Sequence, residues 1–409
     1  MSAYMAARDD KDNRVETSLT MRKTLRHLAI GSVIFAAAGI SPAWAVDTNA
    51  PAPANPSKIK VQTYASGLEH PWGMQFLPDG RLLVTERPGR MRYVTKDGRL
   101  SAPIAGVPEV AAVDQGGLLD VLLAPDFADS GMIYFSYGEP RENGANATTV
   151  ARAKLVPDGD SGRLEDLQVI FRQTPAAVSG HHFGSRLVWD KKGALFITTG
   201  DRNKLRKEAQ NPANTVGKIV RINPDGSIPA DNPKLPGWAP EVWSVGHRSV
   251  QGAAMRPGTD QLYTLEHGPQ GGDELNHPEA GKNYGWPIIT YGVEYGSGTK
   301  IGEGTAKEGL EQPVYYWVPS IAVSQLAFYD GDLFPEWKGN ALVGALAGAQ
   351  LQRLILDGDN VVAAEKLLED QGKRIRDVRQ GPDGALWLLT DDTGEVLRVT
   401  PAPPATKQE

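Results

Sequence analysis

His181-His182 lies just ahead of a run of apolar and β-branched residues, and Thr199-Gly200-Asp201-Arg202 closes the run that follows. If the two segments end neighbouring strands of one sheet, Asp201 comes to His182. A carboxylate beside an imidazole fixes its tautomer and raises its basicity, which is the chemistry of a general base. A histidine pair in a turn also suits a metal ligand or plain surface. Val245-Gly246-His247-Arg248 ends another strand-like run. Arg374-Ile375-Arg376 offers two guanidinium groups two residues apart. In a strand such residues share a face, so Arg374 and Arg376 are expected to converge. That face is either solvated or a clamp for carboxylate or phosphate, which guanidinium binds through two parallel bonds.

Glu266-His267-Gly268-Pro269-Gln270-Gly271-Gly272-Asp273-Glu274 is a glycine-rich acidic stretch. It lacks the spacing of an EF-hand and the lysine of a P-loop. Carbonyls bent by Gly and Pro, with carboxylates nearby, suit a hard cation such as calcium; a plain connecting loop is the other reading. Asp114-Gln115-Gly116-Gly117 is a further tight turn whose polar side chain could face a pocket. The chain has no Gly-x-Ser-x-Gly and no dinucleotide fingerprint in a βαβ setting, which removes serine hydrolases and nicotinamide chemistry. It has no cysteine, which removes thiolate metal sites and cysteine nucleophiles.

The elements that must position these residues repeat. A turn followed by an apolar, β-branched run occurs six times, centred on Leu82, Ile133, Leu195, Leu262, Leu342 and Leu386. The copies are 44 to 80 residues apart, a spacing that marks propellers and repeat arrays. Pro78-Asp79-Gly80 and Pro382-Asp383-Gly384 show the turn most clearly, with Pro fixing φ and Gly accepting positive φ. Helical periodicity is nearly absent, with residues 204–210 the one candidate for a short turn of helix. The fold class is therefore all-β: a six-bladed propeller of four-stranded antiparallel blades. Glu395-Val396-Leu397-Arg398-Val399 is expected to pair with Ile59-Lys60-Val61 and close the ring, removing the sheet edges. Residues 267–307 read as one long functional loop.

Arg22, Lys23 and Arg26, an apolar stretch over residues 28–40 and Ala43-Trp44-Ala45 form a signal peptide with a cleavage site. The apolar stretch is too short for a bilayer, so no stable membrane insertion is expected. Residues ahead of Met21 are polar, and Met21 reads as the initiator. The expected organisation is a signal peptide over 1–45, a flexible leader over 46–57, a catalytic propeller over 58–400 and a disordered tail over 401–409. The chain has 43 basic and 49 acidic residues, of which the first 45 positions hold six and four; 37 and 45 remain, a net charge of −8. That balance argues against a nucleic-acid partner. Export without disulfides fits a bacterial periplasm and a large self-sufficient core.

Taken in order, these stretches resemble the soluble aldose sugar dehydrogenases that use pyrroloquinoline quinone (PQQ), the family of soluble quinoprotein glucose dehydrogenase. The matching stretches are His70-Pro71-Trp72, Gln115-Gly116-Gly117, His182 with Arg186-Leu187, Gly200-Asp201, Gly246-His247-Arg248, Gly268-Pro269 with Asp273-Glu274, Asn283-Tyr284-Gly285-Trp286-Pro287 and Arg374-Ile375-Arg376-Asp377. The resemblance covers nearly all of the mature chain and implies the same six-bladed fold. It implies that His182 is the base for the anomeric hydroxyl of an aldose, that Asp201 orients it, and that hydride passes to the quinone to leave a lactone. It implies that Arg248 lies near the quinone oxygens and that Gln115 contacts substrate and cofactor. The carbonyls of Gly268 and Pro269 would bind a Ca2+ ion that also holds the cofactor. Glu274 and the Tyr284 carbonyl would bind a second calcium, and Arg374 with Arg376 would clamp the cofactor carboxylates. An electron acceptor is implied, and nothing in the sequence identifies it.

Two positions depart from the pattern. Ser249 stands where the glucose dehydrogenases have Asn, and Ala347 where a cofactor-binding Lys is expected. Two other readings stay open on the residues alone: a calcium-dependent lactonase on a six-bladed propeller, and a non-catalytic propeller that binds sugar or protein.

Overall fold

The computed structural model describes residues 49–403. The signal peptide, the residues before position 49 and most of the tail lie outside that range. Six sheets make up the body. The blades begin with the strands Pro71–Phe76, Leu118–Leu123, Gly184–Trp189, Val250–Met255, Val323–Phe328 and Ile375–Gln380. Each of these first strands packs against the first strand of the next blade, and the sixth against the first, so they line the centre of a ring.

The repeat has a simple meaning in the fold. Every one of its six central residues lies in the second strand of a blade: Leu82–Glu86, Met132–Pro140, Leu195–Thr199, Leu262–Glu266, Ala341–Ala345 and Leu386–Thr390. These strands are the most deeply buried because blades cover both their faces, so both faces must be apolar. Six apolar clusters form the core, one between each pair of neighbouring blades. Hydroxyls stitch the rings together: Thr85 donates to the Leu119 carbonyl, Ser136 to that of Ser185 and Thr198 to that of Val250.

The last strand closes the ring on Ile59–Ala65 as expected, with Val61 opposite Val399 and Ile59 opposite Pro401, so Pro401 belongs to the closing strand and not to a disordered tail. Five blades have four strands. The blade Pro71–Phe76, Leu82–Glu86, Arg90–Val94 has three, and a single bridge from Val94 to Leu100 stands in the fourth position. Residues 204–210 hold the expected short helical turn, a 3-10 helix over Arg206–Gln210. The described part of the leader is pinned rather than free. Ser57 bonds the Glu365 carboxylate through its amide and hydroxyl, and the Pro51 carbonyl accepts from Ala364. Among the described residues no helix is long and apolar enough to cross a membrane.

Each first strand carries a register shift against the second near its N-terminal end, in all six blades. Bulges re-aim side chains and are common beside active sites. The starts of first strands and the ends of second strands lie at one face of the ring because the two strands are antiparallel. That face receives nearly every residue singled out from the sequence.

Candidate active site

His182 and Asp201 meet as expected. His182 precedes the first strand of the third blade, Asp201 follows its second strand, and the imidazole Nδ1 lies 2.5 Å from Asp201 Oδ1. An ionised carboxylate only accepts, so Nδ1 carries the proton and Nε2 keeps its lone pair. Asp201 is itself held. Its Oδ1 accepts the Asn203 amide at 2.7 Å and its Oδ2 accepts the Trp286 indole N–H at 2.8 Å. Burial would raise the Asp201 carboxyl, but His182, Arg248 and the Asn203 amide outweigh it and keep the group ionised. Burial, then the Arg248 guanidinium, holds His182 below its ordinary value despite Asp201, so the ring is neutral near pH 7. Gln115, exposed in the turn before the second blade, accepts the His182 backbone N–H through Oε1 at 2.9 Å.

Arg248 sits at the start of the fourth blade. Its guanidinium donates to the His267 carbonyl and lies 5.4 Å from the centre of the Trp286 ring. Trp286 therefore touches both Arg248 and Asp201, a role with no local signature in the sequence. His267 is neutral: burial pushes it down to about 4, and its Nε2 bonds the Val323 carbonyl at 2.7 Å.

Arg374 and Arg376 do come together, but not as neighbours on one strand face. The strand starts at Ile375, and the register shifts between Ile375 and Asp377. Arg374 lies ahead of the strand, the bulge breaks the two-residue alternation, and the two side chains meet at Asp391. The closest approaches are 3.5 Å for Arg374 and 3.6 Å for Arg376. Arg87, from the end of the first blade's second strand, reaches the same carboxylate at 4.0 Å. Burial would raise the Asp391 carboxyl, but Arg376, Arg87 and Arg374 hold it down. Three guanidinium groups thus share one carboxylate, and the surplus positive charge can neutralise a polyanion. Arg376 Nε and Arg87 Nε are buried without hydrogen-bond partners. Burial brings Arg376 down to about 10, still fully charged. These features fit a flat ligand bearing several carboxylates.

The long stretch over 267–307 is not all loop, because Asp273–Asn276 forms the third strand of the fourth blade. That strand aims Glu274 beside Glu266, and Asn276 Nδ2 bonds both carboxylates, at 2.7 Å and 3.1 Å. Glu266, Glu274, Gly268 and Tyr284 line a small cavity of about 10 Å3, the size of one water or one ion. Burial, then the Glu266 charge, pushes Glu274 well above the usual carboxylate range. Asn276 Oδ1 is buried without a partner. Glu266 already accepts the Arg248 amide at 2.7 Å besides Asn276, so Glu274 is the carboxylate left to meet a hard divalent cation in so small a space. The turn after Glu266 is crowded with oxygen: a Cβ on Gly268 would lie 2.2 Å from the Gly272 carbonyl oxygen and 2.3 Å from that of Gly271. Asp273 is not available as a ligand, since Ser320 and the amides of Gly268, Ile321 and Val323 occupy its carboxylate.

Residues 68–398 match the family described as glucose/sorbosone dehydrogenase. The chain belongs to the glucose/sorbosone dehydrogenase family. It is 47% identical to aldose sugar dehydrogenase YliI of Escherichia coli over 354 residues, 85% of this chain and 94% of that one. It is 50% identical to a solved glucose dehydrogenase, with a TM-score of 0.80, over 84% of this chain and all of the other. The PQQ-bound form of an aldose sugar dehydrogenase from Streptomyces coelicolor is 31% identical, with a TM-score of 0.69, over 85% of this chain and 99% of that one.

Within this family member, both departures now have a place. Ser249 is buried, and its hydroxyl accepts from Gln251, whose Oε1 accepts from Arg376. Ala347 is exposed in the turn between Ala341–Ala345 and Gln350–Asp357 and brings no charge. Arg353 does not replace the missing lysine, because it pairs with Glu365 at 2.9 Å and packs over Trp337. Gln350 is nearer the turn and keeps a buried Oε1 without a partner.

Proposed function

We propose that this protein is a PQQ-dependent aldose sugar dehydrogenase that oxidises the anomeric carbon and releases a lactone. The observation that carries the reading is a neutral, carboxylate-anchored imidazole, close enough to Arg248 to feel its charge, on the same face as three guanidinium groups around Asp391. When bound, the quinone supplies the two-electron acceptor for the hydride leaving the sugar. The protein's part is binding, orientation and proton handling. His182 Nε2 takes the proton of the anomeric hydroxyl, while Asp201 keeps Nδ1 protonated and stabilises the cation that forms. A positioned base of this kind contributes about 10²–10⁴-fold. Arg248 would offer positive charge to a group gaining electrons beside His182. Arg87, Arg374 and Arg376 would hold its carboxylates, with Gln115 shaping the wall beside His182. The carbonyls of Gly268 and Pro269 would hold a calcium at the cofactor, and Glu274 with the Tyr284 carbonyl a second one.

The leader-like N-terminus and the absence of cysteine support action in the periplasm, with electrons passed to an acceptor of unknown identity. The test is reconstitution. The protein with PQQ and calcium should reduce an artificial dye when glucose is added, and do nothing without the quinone. Hydrolysis of gluconolactone without quinone, and no dye reduction with it, would favour the lactonase. Neither activity would leave a binding propeller.

A further inference from the structure

Arg202 follows Asp201 directly and is fully buried. It has no carboxylate within ion-pairing distance among the described residues. Its guanidinium instead donates to main-chain carbonyls, to His181 at 2.9 Å and to Ser179 at 2.8 Å, and also bonds Asn146 Oδ1. The planar group stacks over the Phe183 ring at 3.6 Å. A buried charge served mainly by carbonyls is expensive to keep. Burial lowers Arg202 to about 10, so it remains charged at neutral pH.

What the guanidinium grips is the segment that presents His182. It holds residues 179 and 181 on one side of His182 and residue 183 on the other. His182 has φ of 54°, in the left-handed region that non-glycine residues seldom enter. Gly200 leaves no room for the segment to move toward it, since a Cβ there would lie within contact of the His182 carbonyl. One dipeptide therefore grips both parts of the base: Asp201 holds the imidazole, and Arg202 the backbone on either side.

We infer that Arg202 is a positioning residue for the reaction, a guanidinium fork that locks the His182 backbone so that the imidazole meets Asp201 and presents Nε2 to the sugar. The inference rests on the dehydrogenase reading above. Its chemistry requires a planar fork with a stacking face. A lysine keeps the charge but reaches one carbonyl at a time and cannot stack flat on Phe183. A misplacement of about 1 Å in a reacting group can cost about 10²-fold in rate.

The experiment compares the full-length protein with Arg202→Met and Arg202→Lys, each loaded with PQQ and calcium. Melting temperature, quinone titration, and kcat and KM for glucose are read for all three. The expected result is kcat about 10- to 100-fold lower in both variants, with KM and quinone affinity within about twofold of the parent. Lysine should recover melting temperature more than kcat. Wild-type kcat in folded Arg202→Lys overturns the inference. So does quinone affinity that falls in step with kcat, which would mark a general loss of structure. If Arg202→Met does not fold, the lysine variant decides alone. Failure of the dehydrogenase reading looks different: the parent protein itself would not turn over.

Discussion

Replacing Asp201 by Asn tests the base most sharply, because the change is nearly isosteric. The carboxylate accepts three hydrogen bonds, from His182 Nδ1, the Asn203 amide and the Trp286 indole. An amide has one acceptor and one donor end, and it cannot satisfy all three. With its oxygen toward His182, its NH2 confronts the Trp286 N–H in a buried site. With the amide flipped, His182 Nδ1 must accept, Nε2 then carries the proton, and the base is lost. Even in the first orientation the cation formed at His182 loses its counter-charge. A hydrogen bond to a charged group is worth about 1.5–3 kcal/mol, or roughly 10- to 150-fold in rate. Adding the share of molecules in the wrong tautomer, kcat should fall about 10²–10³-fold, within the range a general base contributes. Quinone affinity should stay within about twofold, because Asp201 is not part of the guanidinium cluster. The assay is steady-state dye reduction at saturating glucose, with enzyme preloaded with quinone and calcium and its folding checked by thermal melt. A folded, loaded variant within fivefold of the parent would refute the assignment.

The active form of His182 is neutral, and burial with Arg248 holds it below its ordinary value. The acid limb of kcat/KM should therefore have its midpoint below about 6.5, with activity lost as pH falls through it. Arg248→Gln should move that midpoint upward, and a limb that moves downward or stays in place contradicts the assignment. Arg376→Ala should weaken quinone binding about 10- to 100-fold, from one lost charge-assisted contact; an unchanged titration places the clamp elsewhere. Arg186, fully buried, bridges Asp120 at 3.0 Å and Asp377 at 3.2 Å across three blades at the ring centre. Arg186→Leu leaves Arg379 and the amides of Leu187 and Met74 to hold those carboxylates and should cost about 3–5 kcal/mol in urea unfolding. A loss under 1 kcal/mol would show that the ring does not depend on this bridge.

The fold was legible because a propeller repeats one local pattern, and the second strand of each blade is buried on both faces. That the last strand pairs with the first, near Ile59, could be read from the need to close the ring. His182 and Asp201 were legible because both flank the two inner strands of one blade. Other features were hidden, for physical reasons. The bulge at Ile375 broke the alternation assumed for Arg374 and Arg376. The strand Asp273–Asn276 is only four residues long and glycine-flanked, so no periodicity announced it. Trp286 and Arg87 act on residues 85 and 304 positions away, Asp201 and Asp391, which only the closed ring brings near. The leader, too, gave no sign that Ser57 would find Glu365 across 308 residues.

The most direct measurement is titration of the purified protein with PQQ in excess calcium, followed by quinone absorbance and calorimetry. One equivalent should bind at micromolar concentration or tighter, should weaken with added salt, and should be lost on chelation of the metal. A protein that takes up no quinone under those conditions would contradict the view that this face of the ring holds a polyanionic redox cofactor.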